Sequence, residues 1–77
     1  MELSYDSSYN IAYIKLRQKS TEVESIKVSD ELVIDMTADG KIYGIELLNA
    51  NEQLGLSLKK SFTFINEQDD KKLEVAL

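Results

Sequence analysis

The residues best suited to chemistry lie between positions 35 and 46. Acidic residues occupy the first, fifth and twelfth positions of this stretch and a glycine the sixth, close to the spacing of an EF-hand calcium loop. In such a loop, oxygen atoms surround a hard cation, and the last glutamate binds through both of its oxygens. This interpretation predicts a metal site whose ligands are Asp35, Thr37, Asp39 and Glu46.

The same stretch also fits a β-hairpin. In the entering segment every second residue is apolar, which is typical of a strand, whereas an EF-hand loop follows a helix. These apolar residues are Leu32, Ile34 and Met36. Asp39 and Gly40 then supply the turn, because glycine readily adopts the positive φ that such turns require. We therefore favour the hairpin and keep calcium binding as the alternative.

The two apolar faces of this hairpin coincide if residues 37–40 form its loop. Ile34 is then predicted to lie opposite Tyr43, and Leu32 opposite Ile45.

The other face of the hairpin carries acidic residues with apolar residues between them. Gly44 on this face indicates a bulge or a close backbone approach. A charged stripe opposite a core face is often only solvated, but it can also bind a basic partner. On this face we predict a partner-binding surface formed by Glu31, Asp35, Ile42 and Glu46.

The composition excludes several kinds of chemistry. The 77 residues include no cysteine and no histidine, so a thiol nucleophile, an imidazole base and a Cys/His zinc site are excluded. No spacing pairs one carboxyl group as an acid with another as a base, and a hydrolase using carboxylates would need a pocket between subunits. We predict that the chain is not an enzyme and requires no cofactor.

The charge distribution bears on the partners. The net charge is −5, and seven acidic but only two basic residues lie between positions 21 and 47. This balance disfavours nucleic acid, whose phosphates need basic groups. The first residues lack the features of a leader peptide, and no apolar run is long enough to span a bilayer. We expect a cytoplasmic protein that contacts neither nucleic acid nor membrane.

The pattern of residues predicts an α+β fold. It comprises a small antiparallel β-meander of four to five strands, then a short α-helix, and optionally an extra C-terminal strand. The predicted strands span residues 2–5, 9–16, 23–28, 31–36, 41–47 and 61–65. Asn49 or Asn51 would cap a helix that extends to about Lys59. Residues 1–60 would form a single domain and 61–77 a C-terminal extension, whose last five residues are ambiguous.

Several short matches follow the pattern of a known family. They are Tyr5-Asp6, residues 12–16, Asp35 and residues 39–50. Over roughly residues 2–54, the chain resembles the short bacterial proteins grouped as domain of unknown function 2283. The resemblance implies no established activity or cofactor, and it supports the hairpin over the EF-hand. Asn49 departs from the pattern, which has an acidic residue there, and this weakens a cation site shared with relatives.

These observations favour a non-enzymatic protein-interaction module. A homodimer is expected, because a chain of this length builds only a small core and has no disulfide to support it. Its acidic face would bind a basic protein, for instance as an antitoxin-like partner of a small basic ribonuclease-type toxin. A calcium sensor or buffer that uses residues 35–46 is the alternative function.

Overall fold

The computed structural model describes residues 1–18 and 22–77. This part of the chain forms seven strands and one short helix. Their bounds are β1 Glu2–Asp6, β2 Ile11–Lys15, β3 Val23–Ser29, β4 Leu32–Thr37, β5 Ile42–Leu48, α1 Ala50–Gln53, β6 Ser61–Asn66 and β7 Lys71–Ala76. The predominantly β character and the small helix agree with the prediction.

Five of the strands form one antiparallel sheet in the order β1-β2-β5-β4-β3. The predicted meander is therefore only partly correct. Strands β3, β4 and β5 do follow one another, but β5 returns to pair with β2, and β3 lies at the far edge. This order places the apolar strand β5 at the centre and the charged strand β3 at the edge, where charges hinder unwanted pairing.

The register between β4 and β5 differs from the prediction by two residues. Ile34 lies opposite Ile45 rather than Tyr43. One residue of the shift arises in the loop, because Met36 pairs with Ile42. The other arises from a bulge beside Asp35, which adds one residue to β5. Because a shift of two residues preserves the alternation of side chains, the apolar faces still coincide as predicted.

One face of the sheet is apolar across all five strands, and we call it the apolar face. The register aligns a single row of aliphatic residues across it: Leu3, Ile14, Ile45, Ile34 and Ile26. A second row contains Tyr5, Ala12, Leu47 and Leu32. These residues pack against their neighbours on adjacent strands. The opposite side of the sheet, the polar face, includes Tyr13, Gly44, Glu46 and Asp35.

The helix is much shorter than predicted. It ends at Gln53, and Gly55 then adopts a positive φ of 64°, which turns the chain out of the helix. Asn49 precedes the helix with a left-handed backbone and makes no side-chain capping bond. The following turn places Leu56 against the apolar face beside β1.

Burial is slight throughout the described residues. Only three apolar side chains are buried, namely those of Ala12, Ala50 and Leu56, and no large side chain is fully buried. The sheet therefore packs on the turn after α1 at one end, and the described part of the chain encloses no large core.

Strands β6 and β7 form a separate two-stranded hairpin. Phe62 lies opposite Val75, and Phe64 opposite Leu73. The predicted strand at 61–65 is confirmed, and the ambiguous C-terminal residues belong to its partner strand. The division into residues 1–60 and 61–77 stays a prediction.

Candidate functional site

The most structured group of polar side chains lies on the polar face. The Tyr13 hydroxyl donates a hydrogen bond of 2.7 Å to Asp35 Oδ2, and the Ser25 hydroxyl donates one of 2.6 Å to Asp35 Oδ1. The three residues come from β2, β4 and β3, so the cluster links strands that are distant in sequence. We call it the tyrosine cluster.

Gly44 makes this arrangement possible. Strand β5 runs between β2 and β4, and Tyr13 reaches Asp35 by lying across Gly44. A Cβ atom at position 44 would overlap the hydroxyl end of the Tyr13 ring. Only glycine therefore fits at position 44 without a steric clash. The Tyr13 ring covers the backbone that the missing side chain leaves exposed. The bulge and the close approach predicted at Gly44 are both confirmed.

The electrostatics of the tyrosine cluster favour a fixed hydrogen-bond network. Burial, together with the carboxylate of Asp35, raises the pKa of Tyr13 above its ordinary value. The phenol therefore keeps its proton and acts as a donor at neutral pH. Both Asp35 oxygens already accept hydrogen bonds, which occupies the carboxylate. Such an arrangement holds strands β2, β3 and β4 in position.

The predicted metal ligands fall into separate groups. The chain before Asp35 is strand β4, whereas an EF-hand needs a helix there. Thr37 and Asp39 form a turn in which the Thr37 hydroxyl donates to the Asp39 carboxylate. This bond is the main cause that lowers the pKa of Asp39, and Lys41 adds an ion pair of 3.5 Å. Within residues 1–18 and 22–77, no group of three acidic residues is placed to hold a metal ion.

The predicted partner-binding residues are only partly brought together. Asp35 and Glu46 share the polar face, where Glu46 lies opposite Tyr13. Glu31 lies at the other end of the sheet and accepts a hydrogen bond of 3.2 Å from the Asn49 amide. Ile42 pairs with Met36 ahead of the bulge, so it is not in the row that contains Asp35.

A second polar cluster joins the β1–β2 turn to the start of the helix. Asn10 Oδ1 accepts a bond of 2.8 Å from the Asn51 backbone, and its amide donates one of 2.8 Å to Asn51 Oδ1. Asn49 donates to Glu31 and, at 2.8 Å, to Glu52. An acidic residue at position 49 would face both glutamates, which explains physically why an amide suits this chain.

Sequence reasoning missed Tyr13 and Ser25 as cluster members and Asn10 as a connector. In the sequence, Tyr13 fits the pattern of an ordinary residue of an amphipathic strand, and its contact with Asp35 depends on β5 pairing with β2. A glycine in the middle of β5 was the feature that could have indicated a large side chain lying over it. Asn10 adopts a left-handed φ of 57°, a conformation that asparagine tolerates better than most residues.

An exposed charged surface lies along β3. All seven residues of this strand are exposed, and it forms an edge of the sheet. Acidic residues lie at both ends of it, one of them inside the strand and the others beside it, and we define strand β3 with these residues as the acidic edge. They are Glu22, Glu24, Asp30 and Glu31. An edge strand presents backbone N–H and C=O groups that can pair with another chain.

Comparison with known proteins adds a family to this geometry. The family described as "Protein of unknown function (DUF2283)" matches residues 2–51. The chain belongs to this family. The DUF2283 match covers the five-stranded sheet and the first residues of α1, and it includes the tyrosine cluster, whereas the β6–β7 hairpin lies outside it. Neither the search of curated proteins nor that of solved structures found a match.

The described residues of this DUF2283 chain contain no helix with the length and hydropathy that a membrane span requires.

Proposed function

We propose that this chain is a non-catalytic protein-interaction module that binds a basic protein along its acidic edge. The observation that carries the proposal is the exposure of β3 over its whole length, with acidic residues at both ends. The tyrosine cluster supports a non-catalytic role, because its hydrogen bonds are satisfied within the sheet.

Strand addition is the mode of binding that this edge suits. An extended segment of the partner would pair with the outer backbone groups of β3, and its basic side chains would approach the flanking carboxylates. The one basic residue of the strand, Lys27, forms an ion pair of 3.5 Å with Asp30. Both groups are exposed, so this pair contributes little stability and can rearrange.

The other edge strand, β1, also has an acidic residue at each end, Glu2 and Asp6. Glu2 forms an ion pair of 3.7 Å with Lys15, and the Asp6 carboxylate accepts hydrogen bonds from Ser8. One side of β1 also adjoins Leu54, Leu56 and Leu77, whereas no such apolar cluster adjoins β3 among the described residues.

The specific form of the proposal is antitoxin-like. A small basic ribonuclease holds RNA phosphates with basic groups, and the acidic edge of a chain whose net charge is −5 can bind to the same groups. Acidic side chains of the edge would then exclude RNA from the groove. In this form of the proposal, the chain acts in the cytoplasm beside its partner.

Calorimetric titration with a defined peptide tests the binding mode. The probe is an extended peptide of alternating lysine and valine, and the control peptide replaces lysine with glutamate. We expect the basic peptide alone to bind, with an affinity that falls as salt is added. The double variant Glu24→Gln/Asp30→Asn should bind about tenfold more weakly, because two of the facing charges are lost.

The matched control removes the same charge elsewhere. Glu67→Gln/Asp69→Asn changes two acidic residues in the turn of the β6–β7 hairpin, and it should bind the basic peptide as the parent chain does. Equal weakening by both double variants would show that only net charge matters, and the acidic edge would lose its role. Absence of binding to the parent chain would reject the proposal.

The antitoxin-like form has its own measurement. RNA cleavage by the basic product of a neighbouring reading frame would be followed with and without the chain. Inhibition by the parent chain, and weaker inhibition by the Glu24→Gln/Asp30→Asn variant, is expected. Unchanged cleavage would reject the antitoxin-like form while leaving the peptide result to decide the interaction module.

A further inference from the structure

The chain exposes far more surface than a folded monomer of its mass. A protein of 8.7 kDa exposes about 4,700 Å² by the usual scaling of surface with mass, whereas this chain exposes 6121 Å². Its radius of gyration is 14.1 Å, against about 11.5 Å expected for 77 residues. The excess surface of about 1,400 Å² exceeds the roughly 800 Å² that each partner buries in a stable complex.

Part of this excess lies on the apolar face of the sheet. Ile14, Ile34 and Ile45 lie at its centre and are only half-buried. Among the described residues, Leu54 and Leu56 cover the end of the face beside β1. A cavity of about 310 Å³ lies there, lined by Leu3, Tyr5, Leu54, Leu56 and Leu77.

The β6–β7 hairpin carries a second apolar surface. The register places four of its large apolar side chains on the same side, which we call the hairpin's apolar side: Phe62, Phe64, Leu73 and Val75. Phe64 is 58% exposed and Leu73 is 61% exposed. Two strands alone cannot bury such residues, and an isolated hairpin is only marginally stable in water.

We infer that a second copy of this chain covers the apolar face, with the β6–β7 hairpin of each copy lying on the sheet of the other. The exchange would bury both apolar surfaces in one reciprocal interface, as a two-fold dimer requires. The dimensions agree: five strands span about 20 Å across the sheet, and six-residue strands are about 20 Å long.

Charge also permits this contact. Residues 59–77 contain four lysines and four acidic residues, so the hairpin segment carries no net charge and is not repelled by an acidic sheet.

The connection between the five-stranded sheet and the β6–β7 hairpin favours exchange of the hairpin between chains over folding of the hairpin onto its own sheet. Hydrogen bonds from Leu58 and Lys59 to the Gly55 carbonyl, at 3.1 and 3.0 Å, fix the turn after α1. Leu77 donates a bond of 2.8 Å to the Lys60 carbonyl, which closes the base of the hairpin. In this conformation the hairpin pairs chiefly with itself rather than with its own sheet. A short, fixed connection between two incomplete units is the usual setting for exchange between chains.

The first test measures molar mass by light scattering during gel filtration. The parent chain should have twice the mass of one chain, and Phe64→Ser should weaken the dimer at least a hundredfold. Ile65→Ser is the matched control, because Ile65 is 49% exposed and lies on the other side of β6. The control should stay dimeric. A monomeric parent chain, or equal effects of the two variants, would overturn the inference.

The second test distinguishes exchange of the hairpin between chains from folding of the hairpin onto its own sheet. Because the sequence contains no cysteine, the introduced cysteines can form disulfides only with each other. One chain carries Phe64→Cys, another carries Ile45→Cys, and the two are mixed and oxidised. A disulfide between the two chains is the expected result. A chain carrying both substitutions that instead forms the bond within a monomer would show folding back, which contradicts the inference.

The inference does not depend on the proposed function. The variant Glu24→Gln/Asp30→Asn should remain a dimer even though it binds the basic peptide more weakly. Conversely, Phe64→Ser should still bind the basic peptide, since β3 is unchanged.

Discussion

The five-stranded sheet and the β6–β7 hairpin are both amphipathic, but they differ in how they hold their side chains. In the sheet, each apolar residue of a central strand has neighbours on two sides, and Tyr13 and Asp35 connect strands that are far apart in sequence. In the hairpin each residue has neighbours on one side only, and Phe64 and Leu73 remain mostly exposed. Internal pairing therefore stabilises the sheet, whereas the hairpin depends on a surface outside itself.

The largest expected effect is at Gly44. The substitution Gly44→Ala places a Cβ atom in the space of the Tyr13 ring, and we expect it to lower the free energy of unfolding by about 3 kcal/mol. Urea denaturation followed by circular dichroism measures it. Thr63→Ala, in the middle of β6, should cost less than about 1 kcal/mol, because its side chain is exposed.

A second glycine, Gly40, serves as a control for the steric overlap expected at Gly44. Gly40 has a φ of 85° and no atom near a Cβ position, so Gly40→Ala should cost about 1 kcal/mol through backbone strain alone. If Gly44→Ala were no worse than Gly40→Ala, the close approach of Tyr13 would not be a constraint on the sheet.

A smaller effect is expected for Tyr13→Phe. The variant removes one hydrogen bond to a carboxylate, which should cost about 1.5 kcal/mol at neutral pH. The pH dependence gives the sharper result. The raised pKa of Tyr13 means that the folded chain keeps the phenolic proton longer than the unfolded chain does. The stability it contributes is complete below the ordinary pKa of 10.0 and is lost as the pH rises above it.

Denaturation at a series of alkaline pH values measures this loss. The difference in stability between the parent chain and Tyr13→Phe should shrink above pH 10, because the contribution of the other titrating groups is common to both. A difference that stays constant with pH would mean that the phenol is not held protonated by the sheet.

The sequence predicted the sheet better than it predicted the contacts between its distant parts. Alternating residues located six strands to within one or two positions, and the face containing Ile34 and Ile45 was correct. The exact pairing was wrong, because a bulge at β5 is not specified by alternation. The pairing of β5 with β2 was missed since it depends on the whole fold, and the tyrosine cluster was missed with it. The early end of α1 follows from Gly55, whose positive φ turns the chain out of the helix.

The smallest effects concern two exposed acids, one in each region, whose pKa values are both lowered. Asp39 belongs to the β4–β5 turn, and the main cause is its hydrogen bond from Thr37. Glu74 belongs to the hairpin, and the main cause is Lys59, whose Nζ atom lies 2.9 Å from the carboxylate. NMR titration of the two carboxyl groups is expected to show that Thr37→Val raises the pKa of Asp39 and Lys59→Gln raises that of Glu74.

Added salt should then separate the two regions. The lowered pKa of Glu74 rests on a charged partner at the surface, so it should move back toward its ordinary value as salt screens Lys59. The lowered pKa of Asp39 rests mainly on a neutral hydroxyl donor, so it should change less. In both cases the stability that the carboxylate contributes is present above its ordinary pKa and is lost as the pH falls. Equal responses to salt would mean that the turn of the sheet is held by charge, as the hairpin is, and that the local hydrogen bond of Thr37 adds little.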